Sequence, residues 1–206
     1  MSTAFFSFKG GVGKTSLATA YTLTHDNKTF VTNDITQNLE NMGFSSYVKL
    51  PENKKTIVPE ILHSENVFDL GAMNGQIDPK VISPLKHSSA VVIPTLTDVN
   101  SINATIESIK EAKHYVDVII VVINKVRKKD RRYHRALDAI RQYLPTSHIL
   151  MMKETTLYDR LALDGAELLN HVGHAKGVGQ LSRTIEVQTA LFNRIDTLII
   201  EGTRIY

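Results

Sequence analysis

Apolar residues in this chain form short runs that alternate with segments in which apolar positions recur every three or four residues. Six runs rich in β-branched or aromatic residues predict strands at 3–8, 29–33, 66–70, 89–94, 117–124 and 148–152. Helical spacing predicts helices at about 15–25, 98–115, 129–143 and 182–200. This alternation predicts an α/β fold: a mostly parallel twisted sheet with helices on both faces. The unbroken β-branched run at 117–124 predicts a strand near the centre of that sheet.

Length and composition limit the class of protein. The 206 residues show no internal repeat and no obvious linker, so we expect one domain over 1–206. No apolar run approaches the roughly 20 residues that cross a bilayer, and the start of the chain lacks a signal-peptide pattern. The absence of cysteine excludes disulfides, thiolate metal sites and a cysteine nucleophile, and it fits a cytoplasmic protein.

Positive charge is concentrated in one segment. Between Lys125 and Arg135 the chain carries seven lysines or arginines and a single acid, Asp130. Because the formal net charge of the whole chain is only +3, the rest of the molecule is net negative. A helix with this charge can hold DNA phosphates without reading bases, although charge runs are more often a solvated surface.

One glycine-rich segment lies between the first predicted strand and the first predicted helix. In that context glycines let backbone N–H groups converge on phosphate oxygens, and the positive end of the helix faces the same anion. Lys14 can reach the β- and γ-phosphates, and the Thr15 hydroxyl can bind magnesium. The segment therefore predicts a P-loop for ATP with Mg²⁺, formed by Lys9, Gly10, Gly11, Val12, Gly13, Lys14, Thr15 and Ser16.

The P-loop departs from the usual pattern, because Phe8 stands where a glycine is expected and Lys9 follows it. A lysine ahead of Gly-Gly-x-Gly-Lys resembles the deviant Walker A motif of the ParA/MinD ATPases, and most closely a short ParA-type partition ATPase. In that family the signature lysine reaches across a nucleotide-sandwiched dimer to the partner's phosphates. The resemblance therefore implies a homodimer, with Lys9 and Lys14 among the catalytic residues.

Two acids follow predicted strands. Asp34-Ile-Thr-Gln-Asn38 resembles the family's Asp-Pro-Gln-Gly-Asn switch segment, which implies that Asp34 orients or deprotonates the attacking water beside the metal. Val67-Phe68-Asp69 fits a Walker B strand, in which Asp69 binds magnesium through its water shell. The resemblance thus implies a metal site formed by Thr15, Asp34 and Asp69. A simpler interpretation of each acid is an aspartate at a strand-end turn.

The strongest predicted strand ends in Asn124-Lys125-Val126, which resembles the family's Asn-Arg-Val segment. That resemblance implies that Asn124 contacts the adenine ring, and a side-chain amide can both donate to and accept from the adenine edge. The resemblance extends from residue 3 to about 170. It also implies that the basic segment binds non-specific DNA through Lys128, Lys129, Arg131, Arg132 and Arg135.

The leading hypothesis is a ParA-like ATPase for plasmid or chromosome segregation, cytoplasmic and nucleoid-associated. ATP would drive dimerisation and DNA binding, and a centromere-binding partner protein would stimulate slow hydrolysis. One alternative is a MinD-like membrane-associated ATPase, but the amphipathic segment 185–200 has acids and few basic residues, so we expect no membrane contact. Another is an ATP-binding switch with little turnover. The cysteine-dependent members of the wider class are excluded.

Overall fold

The computed structural model describes residues 1–25, 27–33, 44, 46–50, 65–71, 77–155 and 180–203. Its strands are β1 (Thr3–Phe5), β2 (Thr29–Thr32), β3 (Tyr47–Lys49), β4 (Asn66–Asp69), β5 (Ala90–Thr95), β6 (Ile119–Val126) and β7 (Ile149–Lys153). Its α-helices are α1 (Lys14–Leu23), α2 (Pro79–His87), α3 (Val99–Ala112), α4 (Arg131–Ile140) and α5 (Gln180–Thr203). A short 3₁₀ helix, Thr146–His148, precedes β7.

The strands form one 7-stranded sheet in the order β3-β2-β4-β1-β5-β6-β7. Every strand pair between described residues is parallel. The predicted parallel α/β fold is therefore confirmed. Because β1 lies between β4 and β5, the segments that follow these three strands meet at one edge of the sheet.

The core consists of two apolar layers, one on each face of the sheet. Successive residues of β6 alternate between them, since Ile119 and Val121 face one layer while Ile120 and Val122 face the other. The first layer includes buried residues of α2, α3 and α4, and the second includes buried residues of α1 and α5. Both faces of β6 are thus covered, as its continuous β-branched sequence predicts.

One α-helix and one strand of the described residues, besides the short 3₁₀ helix, were absent from the predictions made on sequence. Helix α2 begins with Pro79 and contains Pro84, and both residues ordinarily indicate a break. Pro79 is compatible because it occupies the first turn, where Asp78 caps the helix by accepting a hydrogen bond from the Lys80 N–H at 2.9 Å. Strand β3 is short and half-exposed, so it has no continuous apolar run to indicate it.

A cluster of polar side chains connects α5 to α1 and to the residues just after α1 through hydrogen bonds. Tyr21 is fully buried, and its hydroxyl donates to the carboxylate of Asp196 on α5. The second oxygen of that carboxylate contacts His25 Nε2 at 2.9 Å. Partial burial raises the pKa of Asp196, but the hydrogen bonds from His25 and Tyr21 outweigh this effect and hold the pKa below its ordinary value. Asp196 therefore stabilises the folded state in its ionised form.

Replacing Asp196 by asparagine should destabilise the protein at pH 7 by about 1–2 kcal/mol, because the hydrogen bonds to a charged group are weakened. Since the folded pKa is lowered, this contribution is present above the unfolded pKa of about 3.9 and is lost as the pH falls through the folded value. Urea unfolding of both chains between pH 7 and pH 3 should therefore give a difference that shrinks with acidity. The control is Glu201→Gln on the same helix, whose exposed contact with Arg194 at 3.7 Å should matter little. Equal losses for the two variants would contradict the assigned role.

Candidate functional site

The glycine-rich segment connects β1 at the centre of the sheet to the first residue of α1, Lys14. Gly13 is the N-cap residue in a left-handed conformation with φ of 93°, and no described side chain caps the helix. The first turn contains no acid, so the N–H groups and the positive helix end remain directed at the loop. This is the geometry of an anion-binding loop.

Two glycines of the loop have backbone angles that other residues rarely adopt. Gly11 has φ of 74°, and a Cβ added there would meet no described atom within 4 Å. Gly13 has φ of 93°, and a Cβ added there would lie only 2.4 Å from Asn124 Nδ2. A residue other than glycine would therefore be strained by the positive φ at both positions, and at Gly13 it would also clash with the Asn124 side chain.

The two predicted metal ligands among the described residues lie together. Thr15, in the first turn of α1, donates its hydroxyl to Asp69 Oδ2 at 2.8 Å. Asp69 is the last residue of β4, pairs in register with Phe5 of β1 and is 1% exposed. A hydroxyl and a carboxylate are hard oxygen ligands, and magnesium is commonly held by one or two such groups together with substrate phosphates. The pair therefore fits Mg²⁺ in position and in chemistry.

Asp34 lies outside the described residues. Its described neighbour Asn33 follows β2 and accepts a hydrogen bond from the Gly71 N–H, with 2.7 Å between Asn33 Oδ1 and Gly71 N. A Cβ at Gly71 would lie 3.2 Å from Asn33 Oδ1. The residues just beyond β2 and β4 are thus connected directly, next to Asp69.

Asn124 is 2% exposed and lies where β6 passes the P-loop. Its Nδ2 donates to the Val12 carbonyl at 3.0 Å, and its Oδ1 accepts from the Lys125 N–H at 2.8 Å. Each end of the amide keeps capacity for a further hydrogen bond, a second N–H and a second lone pair. The predicted contact with adenine is therefore compatible with this position and stays a prediction.

A cleft of about 290 Å³ opens beside Asn124 at the carboxyl ends of β5, β6 and β7. Its size suits a small planar group such as a base, and clefts at this edge of a parallel sheet are common ligand sites. Its lining residues are Leu96, Thr97, Asp98, Asn124, Lys125, Arg127, Arg132 and Glu154.

Lys9 is exposed at the same edge of the sheet. Its N–H donates to Ser7 Oγ at 3.2 Å, and the preceding N–H of Phe8 donates to Ser108 Oγ at 3.0 Å. Hydrogen bonds from Ser101 hold the pKa of Asp98 below its ordinary value, and the charge of Lys9 acts in the same direction. Both lysines of the motif thus lie on one side of the molecule, Lys14 buried and Lys9 accessible.

The five predicted DNA-binding residues differ in their surroundings. Arg132 Nε contacts Asp130 Oδ1 at 3.1 Å, and this hydrogen bond is the main reason that the pKa of Asp130 lies below its ordinary value. Arg132 is therefore partly neutralised. The other four form no ion pair with any residue in the described ranges: Lys128, Lys129, Arg131 and Arg135.

An open groove of about 1420 Å³ runs along this basic surface. Three of the predicted residues line it, Lys128, Lys129 and Arg131, whereas Arg132 and Arg135 do not. Sequence reasoning missed Lys153 at the end of β7, because only the β6–β7 pairing brings it to the groove. It also missed Tyr133, His134 and Met151, which line the same groove from α4 and β7.

The strand–loop–helix unit and the Thr15–Asp69 contact define a P-loop nucleotide-binding domain. Residues 3–169 match the family model described as CobQ/CobB/MinD/ParA nucleotide binding domain, and the chain belongs to this family. The resemblance to the ParA/MinD ATPases is confirmed. A comparison with curated protein sequences gives no match.

Solved structures with the same fold come from several ParA- and MinD-type proteins. A plasmid partition protein of Borrelia burgdorferi B31 bound to AMPPNP has 12% identity and a TM-score of 0.60, with 97% of this chain and 98% of that chain covered. MinD of Pyrococcus horikoshii OT3 with Mg-ADP has 14% identity and a TM-score of 0.62, covering 92% and 94%. McdA of Cyanothece, solved as the apo protein, has 12% identity and a TM-score of 0.60, covering 91% and 98%. At these identities the likeness shows the fold alone.

Two other features are absent from the described part of the chain. No cluster of three or more His, Asp or Glu side chains is placed to hold a metal ion there. No helix of that part is long and apolar enough to span a bilayer. The Thr15–Asp69 pair, with its single carboxylate, is thus the place among the described residues where a magnesium ion fits the predicted chemistry.

The two loop glycines provide a matched test of this geometry. Gly11→Ala should cost about 1–2 kcal/mol in the free energy of unfolding, the strain of a left-handed alanine. Gly13→Ala should cost about 2 kcal/mol more, because the added methyl group must also displace Asn124. Urea denaturation of the two variants and the parent chain measures both values. Equal costs would show that Gly13 does not pack against Asn124 as described.

Proposed function

We propose that residues 1–206 form one ParA-type partition ATPase domain, which binds ATP with Mg²⁺ at the P-loop and couples its hydrolysis to plasmid or chromosome segregation. The observation that carries the nucleotide assignment is the contact of Thr15 with buried Asp69 at the start of α1. The assignment is supported because a hydroxyl and a carboxylate oxygen, the kind of ligand that Mg²⁺ prefers, lie together at the helix N-terminus that follows the glycine-rich loop. The family membership of residues 3–169 supports the same assignment.

Each residue of the motif has a part in the proposed reaction. The loop N–H groups and Lys14 bind the phosphate chain, while Thr15 and Asp69 hold the magnesium ion. Bound Mg²⁺ would neutralise charge on the phosphates. Asp34 orients or deprotonates the attacking water. Such catalysis relies on positioning and electrostatic stabilisation, since phosphoryl transfer needs little covalent chemistry from the protein.

The proposed active form is a homodimer with nucleotide between the subunits. The exposure of Lys9 at the edge that carries the P-loop supports this, because its side chain is accessible to a second copy. Lys9 of that copy would add positive charge at the phosphates, which raises the hydrolysis rate. A centromere-binding partner protein would stimulate the otherwise slow turnover and so release the dimer.

The proposed binding surface (the matrix) for the ATPase is the DNA of the nucleoid in the cytoplasm, which it would bind without regard to base sequence. The groove lined by Lys128, Lys129, Arg131 and Lys153 supports this, since it gathers positive charge from α4, β7 and the turn between β6 and α4. Contacts of this kind hold phosphates without reading sequence. Arg135, on the same helix, extends the charge beyond the groove.

The MinD-like alternative is less well supported. Binding to a membrane through α5 would require an accessible apolar face, but Phe192, Ile195, Leu198 and Ile199 of α5 are buried against the sheet and α1. The third possibility, a nucleotide-binding switch with little turnover, differs from the main proposal only in the rate of hydrolysis.

Binding to arbitrary duplex DNA tests the partition proposal. The protein should bind with ATP but weakly with ADP or without nucleotide, and the affinity should fall linearly with salt on logarithmic axes. Lys128→Glu with Arg131→Glu should reduce the affinity by about tenfold or more, since two contacts become repulsive. Fluorescence anisotropy across a salt series measures this.

The matched control reverses two charges outside the groove, with Lys110→Glu and Arg141→Glu. Both residues form exposed ion pairs: Lys110 with Glu107 on α3, and Arg141, the C-cap residue of α4, with Asp138. The control changes the net charge of the protein by the same amount, so an equal loss of DNA affinity would indicate a general charge effect. No DNA binding in any nucleotide state would reject DNA as the matrix.

Turnover is tested separately with Asp34→Ala. ATP binding should remain within about twofold of the parent chain, while hydrolysis should fall by about a hundredfold or more, since water is no longer oriented. Asp117→Ala is the control, an exposed carboxylate that precedes β6 at the opposite edge of the sheet. Phosphate release and calorimetric binding give the two quantities. Unchanged turnover would remove Asp34 from its proposed role.

A further inference from the structure

The side-chain amide of Asn124 contacts the backbone of the P-loop directly. The side chain comes from the far end of β6 and donates its Nδ2 to the Val12 carbonyl, a group inside the loop itself. It is 2% exposed, so a lost partner here could not be replaced easily by solvent. Reading a base would not require this contact.

The backbone next to Asn124 is irregular, and this irregularity orients the Asn124 amide toward the Val12 carbonyl. The β6–β7 register shifts between Ile123 and Val126, and inside that irregularity Lys125 has φ of 53°. A left-handed lysine is unfavourable and persists only where the surroundings compensate. Here the Lys125 N–H donates to Asn124 Oδ1 at 2.8 Å, which fixes the amide and leaves Nδ2 directed at the loop.

Gly13 of the P-loop also lies close to the Asn124 side chain. Gly13, the residue after Val12, leaves no room for a Cβ, since that atom would lie 2.4 Å from Asn124 Nδ2. Gly13 is also the N-cap of α1 and directly precedes Lys14. The amide of Asn124 therefore packs against the part of the loop that sets the direction of the helix N-terminus.

We infer that Asn124 is a positioning residue, which holds the Val12–Gly13 part of the P-loop in its phosphate-binding conformation independently of any contact with a base. The inference rests on the proposed ATP site, and it adds a role to the predicted contact with adenine. Holding the loop in advance lowers the conformational cost of binding the phosphate chain. The remaining N–H of the amide stays available for a base.

A ligand without a base separates the two roles. The affinities for MgATP and for magnesium tripolyphosphate should be compared in the parent chain, Asn124→Ala and Asn124→Leu. Both variants are neutral, so neither repels the anion, and leucine preserves most of the volume. Both ligands should bind about tenfold more weakly to each variant, because the loop loses its anchor. Calorimetry, with competition against a fluorescent ATP analogue for weak cases, gives the values.

Two further measurements separate loop positioning from general instability. Asn103→Ala, an exposed asparagine on α3, is the matched control and should leave both affinities unchanged. Amide hydrogen exchange without ligand should accelerate in residues 10–14 of the Asn124 variants, while exchange in the β5–β6 core stays at the parent rate. Asn124→Leu keeps the comparison possible even where Asn124→Ala unfolds.

Each outcome decides between the roles. Weaker ATP binding with unchanged tripolyphosphate binding would show that Asn124 acts through the base alone and would overturn the inference. The inference also fails when the parent chain binds ATP but does not bind tripolyphosphate at millimolar concentration, since a preformed loop should hold a phosphate chain without a base. Failure of the parent chain to bind ATP would instead reject the proposed function.

Discussion

The parallel pairing of β1 with β4 on one side and β5 on the other is the constraint on which the rest of the site depends. Strand β1 is short, and its last residue, Phe5, pairs in register with both Asp69 of β4 and Val92 of β5. Because all three strands run in the same direction, the loop that leaves β1 must emerge beside the last residue of β4. The Thr15–Asp69 contact at 2.8 Å follows from that arrangement.

Side-chain amides then connect the strand ends with one another. Asn33 accepts from the Gly71 N–H, and Asn124 donates to the Val12 carbonyl, so the ends of β2 and β6 each reach a neighbouring segment. Buried backbone groups in loops have no ladder partners, and polar side chains must supply the missing hydrogen bonds. The same amides that satisfy these groups hold the loops at the carboxyl edge of the sheet in one arrangement.

Charge on the basic surface is distributed by similar local pairings. Arg127 forms two hydrogen bonds with Glu154, and Arg132 contacts Asp130, so two of the three cations that line the cleft beside Asn124 are paired with acids. Lys128 and Arg131, on the groove side, have no such partner among the described residues. Arg127, Asp130 and Glu154 also line the groove, so its net positive charge comes from Lys128, Lys129, Arg131 and Lys153, which the total count of charges does not reveal.

The sequence by itself determined the α/β class, most helices and strands, and the P-loop, because these depend on local features: the β-branched run that became β6, the helical spacing of α3, and glycines directly before Lys14. Helix α2 was missed because Pro79 is favourable only in the first turn of a helix, and β3 because it lacks an apolar run. Only the tertiary structure decided that Asn124 packs against Gly13 and that Lys153 joins the basic groove. These facts depend on which strands are neighbours and on an irregularity at Lys125, and contacts between residues so distant along the chain leave no pattern in the sequence around either one.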